Sequence, residues 1–400
     1  MGAPLRIRQV TLRPLEIPLR LRFEHAAAAR SSADPLIVEI QAAAPYAQLA
    51  GFGETLVRVY VTGETIGSAM DDIRTVFVPR LLDFRPTSFP EALEFIEALP
   101  FEHSGRVING ARAAVELALL DLAGQAFRRR AVDAAGWLGL PGFGSPGSLR
   151  TARYSGIVVG RSPSKLRWML RLQRWAGLRD FKIKVAVDGW EEQLQRAHAV
   201  LRGGLERGQY TLRADANAGW DAAAVRTALP VLEQFGVSAL EQPLSDAHDD
   251  FLPLLASETR MDLIADESLL TMEDARRLIS GGASRVMNIR IAKNGGLLPS
   301  LQLAAATLSA GLDVQLGCLV GETSLLTAAG AAFVEACPRV RFLEGAFGRI
   351  LLRDDVTTRS LMFSVGGRLR TPPSGYGLGV TVNPKALERL AADRPMNLPL

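Results

Sequence analysis

Cysteine, histidine, aromatic residues and above all lysine are scarce in this chain of 400 residues. The two cysteines, Cys318 and Cys337, have neither CxxC nor zinc-ligand spacing. A disulfide framework and a thiolate metal site are therefore excluded, and reduced thiols in a cytoplasmic protein are expected. No apolar run approaches the roughly 20 residues of a membrane helix, and the opening MGAPLRIRQV carries no secretory apolar core. No membrane partner is expected. The formal net charge is +4, and the one basic run, Arg128-Arg129-Arg130, follows a helical stretch without aromatic interleaving, which argues against nucleic-acid binding. With 48% apolar and 22% charged residues the chain has the balance of a soluble globular protein, and disorder is excluded. Only five of the 46 basic residues are lysines: Lys165, Lys182, Lys184, Lys293 and Lys385. Arginine carries positive charge almost everywhere else, so a lysine marks a position of interest, and two lie two residues apart.

Three segments differ in pattern. Residues 1–140 read as strands (Ile7 to Pro18, Pro35 to Ala42) followed by helical periodicity over 65–82, 89–99 and 111–128, an α+β domain. The breaker cluster GLPGFGSPGS, from Gly139 to Ser148, reads as a linker. Over 150–350 eight short β-rich segments alternate with amphipathic stretches, the pattern of a (β/α)8-type barrel. Residues 351–400 hold strand-like pieces at 361–365 and 379–382 among Gly/Pro turns, and are expected to fold back on the first domain.

Catalytic groups of such barrels sit at the C-terminal ends of the strands. Those ends carry Lys182-Ile183-Lys184, Asp215-Ala216-Asn217, Glu241, Asp266-Glu267 and Arg290. From Lys184 the intervals are 31, 26, 25 and 24 residues, each about one strand–helix unit. Successive strands thus bring one charged side chain each to the same rim. Asp215, Glu241 and Asp266, with no cysteine or histidine beside them, form a hard-oxygen set suited to Mg²⁺ or Mn²⁺. Without a cation between them they would raise one another's pKa. Lys182 and Lys184 face the same side of their strand, and two adjacent ammoniums depress each other's pKa, which favours a neutral base.

These segments resemble the enolase superfamily, in its muconate lactonizing enzyme branch within the mandelate racemase and muconate lactonizing enzyme family. The similarity lies in FKIKVAVD, LRADANAGW, LEQPL, IADESL and NIRIAKNGG, and upstream in NGARAAVELALLDLAGQ and GFGE. It implies a modified (β/α)7β barrel with an N-terminal α+β capping domain and a Mg²⁺ held by Asp215, Glu241 and Asp266. It also implies removal of the proton α to a carboxylate, with the metal stabilising the enediolate. A small carboxylate substrate and a homo-oligomer are expected on the same ground. The segment from Arg20 to Arg30, with Phe23 and His25, corresponds to the family's lid loop and is expected to bear on substrate choice.

The sequence departs from that pattern at the sixth strand. Arg290 stands where the branch has its second lysine, while Lys293 matches the lysine of the following Gly-Gly turn; being three apart, they would face opposite sides of a strand. An arginine stabilises negative charge but is a poor base. One-face chemistry from Lys184 is therefore expected, either cycloisomerisation like that of muconate cycloisomerase or β-elimination like that of succinylbenzoate synthase. The alternatives are a racemase or epimerase of an amino acid derivative with Lys293 as second base, a Schiff-base aldolase using Lys184, and a barrel that has lost catalysis and binds a ligand. The eighth strand offers only Glu344 where dipeptide epimerases carry two aspartates. Asn217, Glu267, Glu322 and Glu344 are read as residues around the substrate.

Overall fold

Alternation of residue character places the strands. In Asp180–Lys184, Phe181 and Ile183 pack outward against the surrounding helices, while Lys182 and Lys184 take the other face. The structure, a computed structural model, describes residues 3–25, 28–148, 151–158, 162–369 and 373–400, and leaves the side chains of 21–30 undescribed. In chain order the N-terminal strands are β1 (Ile7–Pro14), β2 (Ile17–His25), β3 (Ala28–Ala33), β4 (Leu36–Ala42) and β5 (Ala50–Thr55), followed by the short ladder β6 (Glu102–His103) and β7 (Arg106–Val107). The barrel strands are β8 (Gly156–Val158), β9 (Asp180–Lys184), β10 (Thr211–Asp215), β11 (Ala239–Glu241), β12 (Asp262–Ala265), β13 (Ser284–Ile289), β14 (Asp313–Leu316) and β15 (Phe342–Leu343); β16 (Met396–Pro399) ends the chain.

The eight strands β8 to β15 pair in sequence order, all parallel. A further parallel bridge between Tyr154 and Leu343 joins the first to the last and closes the circle. Helices follow the strands, several started by side-chain caps that satisfy otherwise unpaired N–H groups. Asp221 accepts from Ala224 N, and Thr271 and Asp274 cap reciprocally. The barrel floor is the apolar set Ala239, Ile264, Val286 and Phe342, and charge begins directly above it. Among the described residues no helix is long and apolar enough to cross a membrane.

The N-terminal sheet has the order β16-β1-β4-β5, with all pairs antiparallel. Its backing helix, Asn109–Phe127, is buried on all sides as far as Gly124. Gly51 and Gly53 make that packing possible: a Cβ at either would lie 2.1 Å from Ala118 O or 1.9 Å from Ala114 O. The C-terminal segment does return to this sheet, but through β16 and not through 361–365 or 379–382. Those pieces make only single bridges, Phe363 with Leu369 and Thr357 with Val382, because glycines at 366, 367, 377 and 379 with positive φ interrupt any ladder. The stretch 139–148 is tied down: Gly144 N donates to Ala336 O, and Ser148 N and Oγ both donate to Cys337 O.

The GFGE and NGARAAVE segments join cap to barrel. Glu54 accepts from Thr323 N, Thr323 Oγ1 and Leu326 N at the start of the barrel helix Ser324–Ala336. Glu116 accepts from Leu297 N and Leu298 N at the start of Leu297–Ser309. Both carboxylates thus satisfy helix N-termini. Asn109 donates to Leu270 O and Lys293 O, and Arg112 to Gly295 O.

Candidate active site

Parallel register sets the rim. Lys184, Asp215 and Glu241 are direct neighbours on β9, β10 and β11. Asp266, Arg290 and Glu344 each stand one residue beyond β12, β13 and β15. All six therefore meet at the C-terminal end of the barrel, with Lys182 one step deeper.

Lys182 Nζ lies 2.8 and 3.0 Å from the two oxygens of Glu241, 2.9 Å from Asp215 Oδ2 and 2.8 Å from Glu344 Oε1. Burial works against its ammonium, but Asp215, Glu241 and Glu344 together hold its pKa above the ordinary lysine value. The expectation that its neighbouring lysine depresses it is therefore reversed for Lys182, since carboxylates outnumber ammoniums around it. Lys184 Nζ is 2.6 Å from Asp215 Oδ2 and 2.6 Å from Asn217 Oδ1. Burial opposes ionisation of Asp215, yet Lys182 and Lys184 keep its carboxyl well below the usual range. Glu344 is likewise brought down to about 2, with Lys182 and Arg213 outweighing burial.

Arg290 and Lys293 have different surroundings. The Arg290 guanidinium hydrogen-bonds Asp266 Oδ2 through Nη2, which is also 3.9 Å from Glu241 Oε1. Lys293 is wholly buried and donates to Asp266 O at 2.6 Å, Asn288 O at 2.8 Å and Asp266 Oδ1 at 2.9 Å. Burial, and then the Arg290 charge, pull its pKa well below the ordinary lysine value.

A cleft of about 690 Å³, open solvent at its mouth included, lies over the rim. Lys182, Lys184, Asn217, Arg290 and Glu344 line it, together with the apolar Ile157, Leu319, Val320 and Phe347. Lys293 does not. Glu322 stands just behind, accepting from Leu319 N, and burial pushes its pKa up to about 8. Phe23 and His25 belong to the β2–β3 hairpin, and their side chains lie outside the described residues.

Several polar residues of the site carry no signal in the motifs. Arg213, fully buried over the Phe342 ring, donates to Ser155 Oγ, Gln315 Oε1 and Glu344 Oε1. Asn288 and Gln315 each donate to Glu241. The available signal is period two: Arg213 precedes Asp215, and Asn288 precedes Arg290, as Lys182 precedes Lys184.

Among the described residues no group of three His, Cys, Asp or Glu side chains is placed to hold a metal as arranged. Lys182 Nζ and Arg290 Nη2 take the space between the carboxylates. The donor chemistry nevertheless fits Mg²⁺: Asp215, Glu241 and Asp266 offer oxygen alone. Beside them Glu267 Oε2 is buried without a partner. Burial, then the charges of Asp215 and Glu241, push the Glu267 pKa up to about 7.

Comparison with known proteins agrees with this geometry. Residues 167–386 match the family model described as enolase C-terminal domain-like. The chain is 30% identical over 394 residues to the L-Lys-D/L-Arg epimerase of Methylococcus capsulatus, across 94% of this chain and 99% of that protein. It is 26% identical over 379 residues to muconate cycloisomerase 1 of Rhodococcus opacus, across 94% and 95%. The crystal structure of muconate lactonizing enzyme from Pseudomonas fluorescens complexed with muconolactone has the same fold, with a TM-score of 0.83 at 22% identity over 96% of this chain and 99% of that one. Barrel, capping domain and rim thus come together in one lineage, and the chain belongs to the enolase superfamily, as an enzyme of its muconate lactonizing enzyme and mandelate racemase branch.

Proposed function

We propose that the enzyme removes the proton α to the carboxylate of a small acid with Lys184 as the single base, in a cycloisomerisation or β-elimination. The observation that carries this is the arrangement of Lys184. Its Nζ is oriented by Asp215 Oδ2 and Asn217 Oδ1, each at 2.6 Å, on the wall of the cleft where a substrate α-carbon would lie. Lys182, held protonated, contributes charge and not proton transfer. Arg290 lines the cleft and supplies a positive group that is a poor base. Mg²⁺ or Mn²⁺ at Asp215, Glu241 and Asp266 would supply Lewis-acid stabilisation of the charge that builds on the substrate carboxylate.

The second reading is a racemase or epimerase. The direction of the Lys293 shift favours it, since burial and the Arg290 charge lower its pKa below the ordinary lysine value. Its placement opposes it, because three acceptors and complete burial hold Lys293 away from the cleft. The deciding experiment incubates a panel of chiral and prochiral carboxylic acids with enzyme in D₂O and follows the α-proton by NMR. One-base chemistry exchanges a single face; deuterium entering both faces would overturn it and favour Lys293.

A further inference from the structure

We propose that Arg290 is an internal cation occupying the seat of the metal, so that metal entry drives its guanidinium off Asp266 and Glu241 and into the cleft. This rests on the metal reading above and adds a role for the residue by which this chain departs from the motif it resembles. Two of the three carboxylates share one nitrogen: Arg290 Nη2 hydrogen-bonds Asp266 Oδ2 and lies 3.9 Å from Glu241 Oε1. A second pair, Asp215 and Glu241, is bridged by Lys182. A cation that coordinates all three must therefore displace Arg290, whereas Lys182 still has Glu344 to pair with.

The way out is already built. Arg290 lines the cleft, its backbone N–H is anchored on Asn294 Oδ1, and its Nε is buried without an acceptor. The guanidinium is thus pivoted at its base and incompletely satisfied in its present seat. Once displaced it stands unpaired in a poorly solvated cleft, an unfavourable state that an incoming carboxylate relieves. Metal and acidic substrate then support each other's binding through one side chain.

The test is titration calorimetry of the chelator-stripped full chain with MnCl₂, comparing wild type with Arg290→Met and Arg290→Lys, with thermal melting to confirm folding. Removing the competing charge should tighten Mn²⁺ binding on the order of tenfold or more in Arg290→Met. Arg290→Lys, whose single nitrogen cannot present two donors in a plane, should fall between. Equal or weaker affinity in both folded variants overturns the inference while leaving the metal reading intact. Absence of Mn²⁺ binding in all three proteins overturns both. A metal-loaded crystal structure with the guanidinium still on Asp266 overturns the inference alone.

Discussion

Replacing Lys293 with methionine separates a second base from a buried tie. Methionine keeps the length and apolar stem of the side chain but removes every donor. In the structure Lys293 supplies the donor for Asp266 O, Asp266 Oδ1 and Asn288 O, all at 2.6–2.9 Å and all sealed from solvent. A buried acceptor left without its donor costs about 1–3 kcal/mol. Asp266 keeps its Arg290 partner, so the total falls at about 3–5 kcal/mol rather than the full sum. For a chain of this size that corresponds to a melting temperature lower by roughly 4–6 °C. Thermal melting of the metal-free protein measures the loss directly, and NMR of α-proton exchange in D₂O measures the chemistry. If Lys293 is a tie, exchange should weaken in step with stability and without preference for a face. An unchanged melting temperature together with selective loss of exchange at one face would refute the reasoning, because only a base behaves so.

Other outcomes follow from the same geometry. Lys184→Met should cost about 1 kcal/mol or less, since Asp215 retains Lys182, yet it should lower α-proton exchange by about 10²–10⁴-fold; NMR in D₂O checks this. Gly53→Ala places a methyl group 1.9 Å from Ala114 O and should destabilise by about 3 kcal/mol or more, seen in urea unfolding. Glu54 and Asp121 are raised to about 7 by burial, so the native state holds protons that the unfolded chain has released. Their contribution is complete below the unfolded value near 4 and is lost as pH rises through about 7, so the melting temperature should fall between pH 5 and 8. Glu54→Gln should flatten that fall; an identical slope would show that Glu54 does not titrate there. Arg290→Lys restores an amine opposite Lys184 and should admit deuterium at the second face, read by NMR of a chiral substrate.

Much of the fold is legible because period two and period 3.6 alternate so regularly between residues 150 and 350. Each of the eight β-rich segments predicted from that alternation overlaps a strand of the barrel. The site is legible where a residue type is chemically unusual in its setting, as with two lysines in an arginine-rich chain or charged residues ending successive strands. It is not legible where the partner is an ordinary residue on a distant strand. Gln315 and Asn288 stand in apolar segments and gain meaning only when closure brings both to Glu241. The cap shows the same limit. Glu54 reads as part of a turn-rich motif, but its partners Thr323 and Leu326 are some 270 residues away in sequence and depend on how the domains dock. The C-terminal pieces mislead for another reason: their alternation is strand-like, but glycine turns deny them a neighbour to pair with.

The named activities of relatives do not decide the reaction, and the geometry explains why. An epimerase at 30% identity and a cycloisomerase at 26% each align over nearly the whole chain, so overall similarity spans both named activities. Where the resembled motif has its second lysine stands Arg290, a poor base that already pairs with Asp266. The neighbouring lysine is committed through its backbone as well as its amine: Lys293 O accepts from Asn109 of the cap while Nζ binds Asp266 and Asn288. Bringing Lys293 to the substrate would break the contact between cap and barrel as well as the three hydrogen bonds around its amine. A side chain fixed from both ends is poorly suited to shuttle protons. The second face thus presents a guanidinium and a tied lysine, which is why the proposed one-base chemistry is assigned to Lys184.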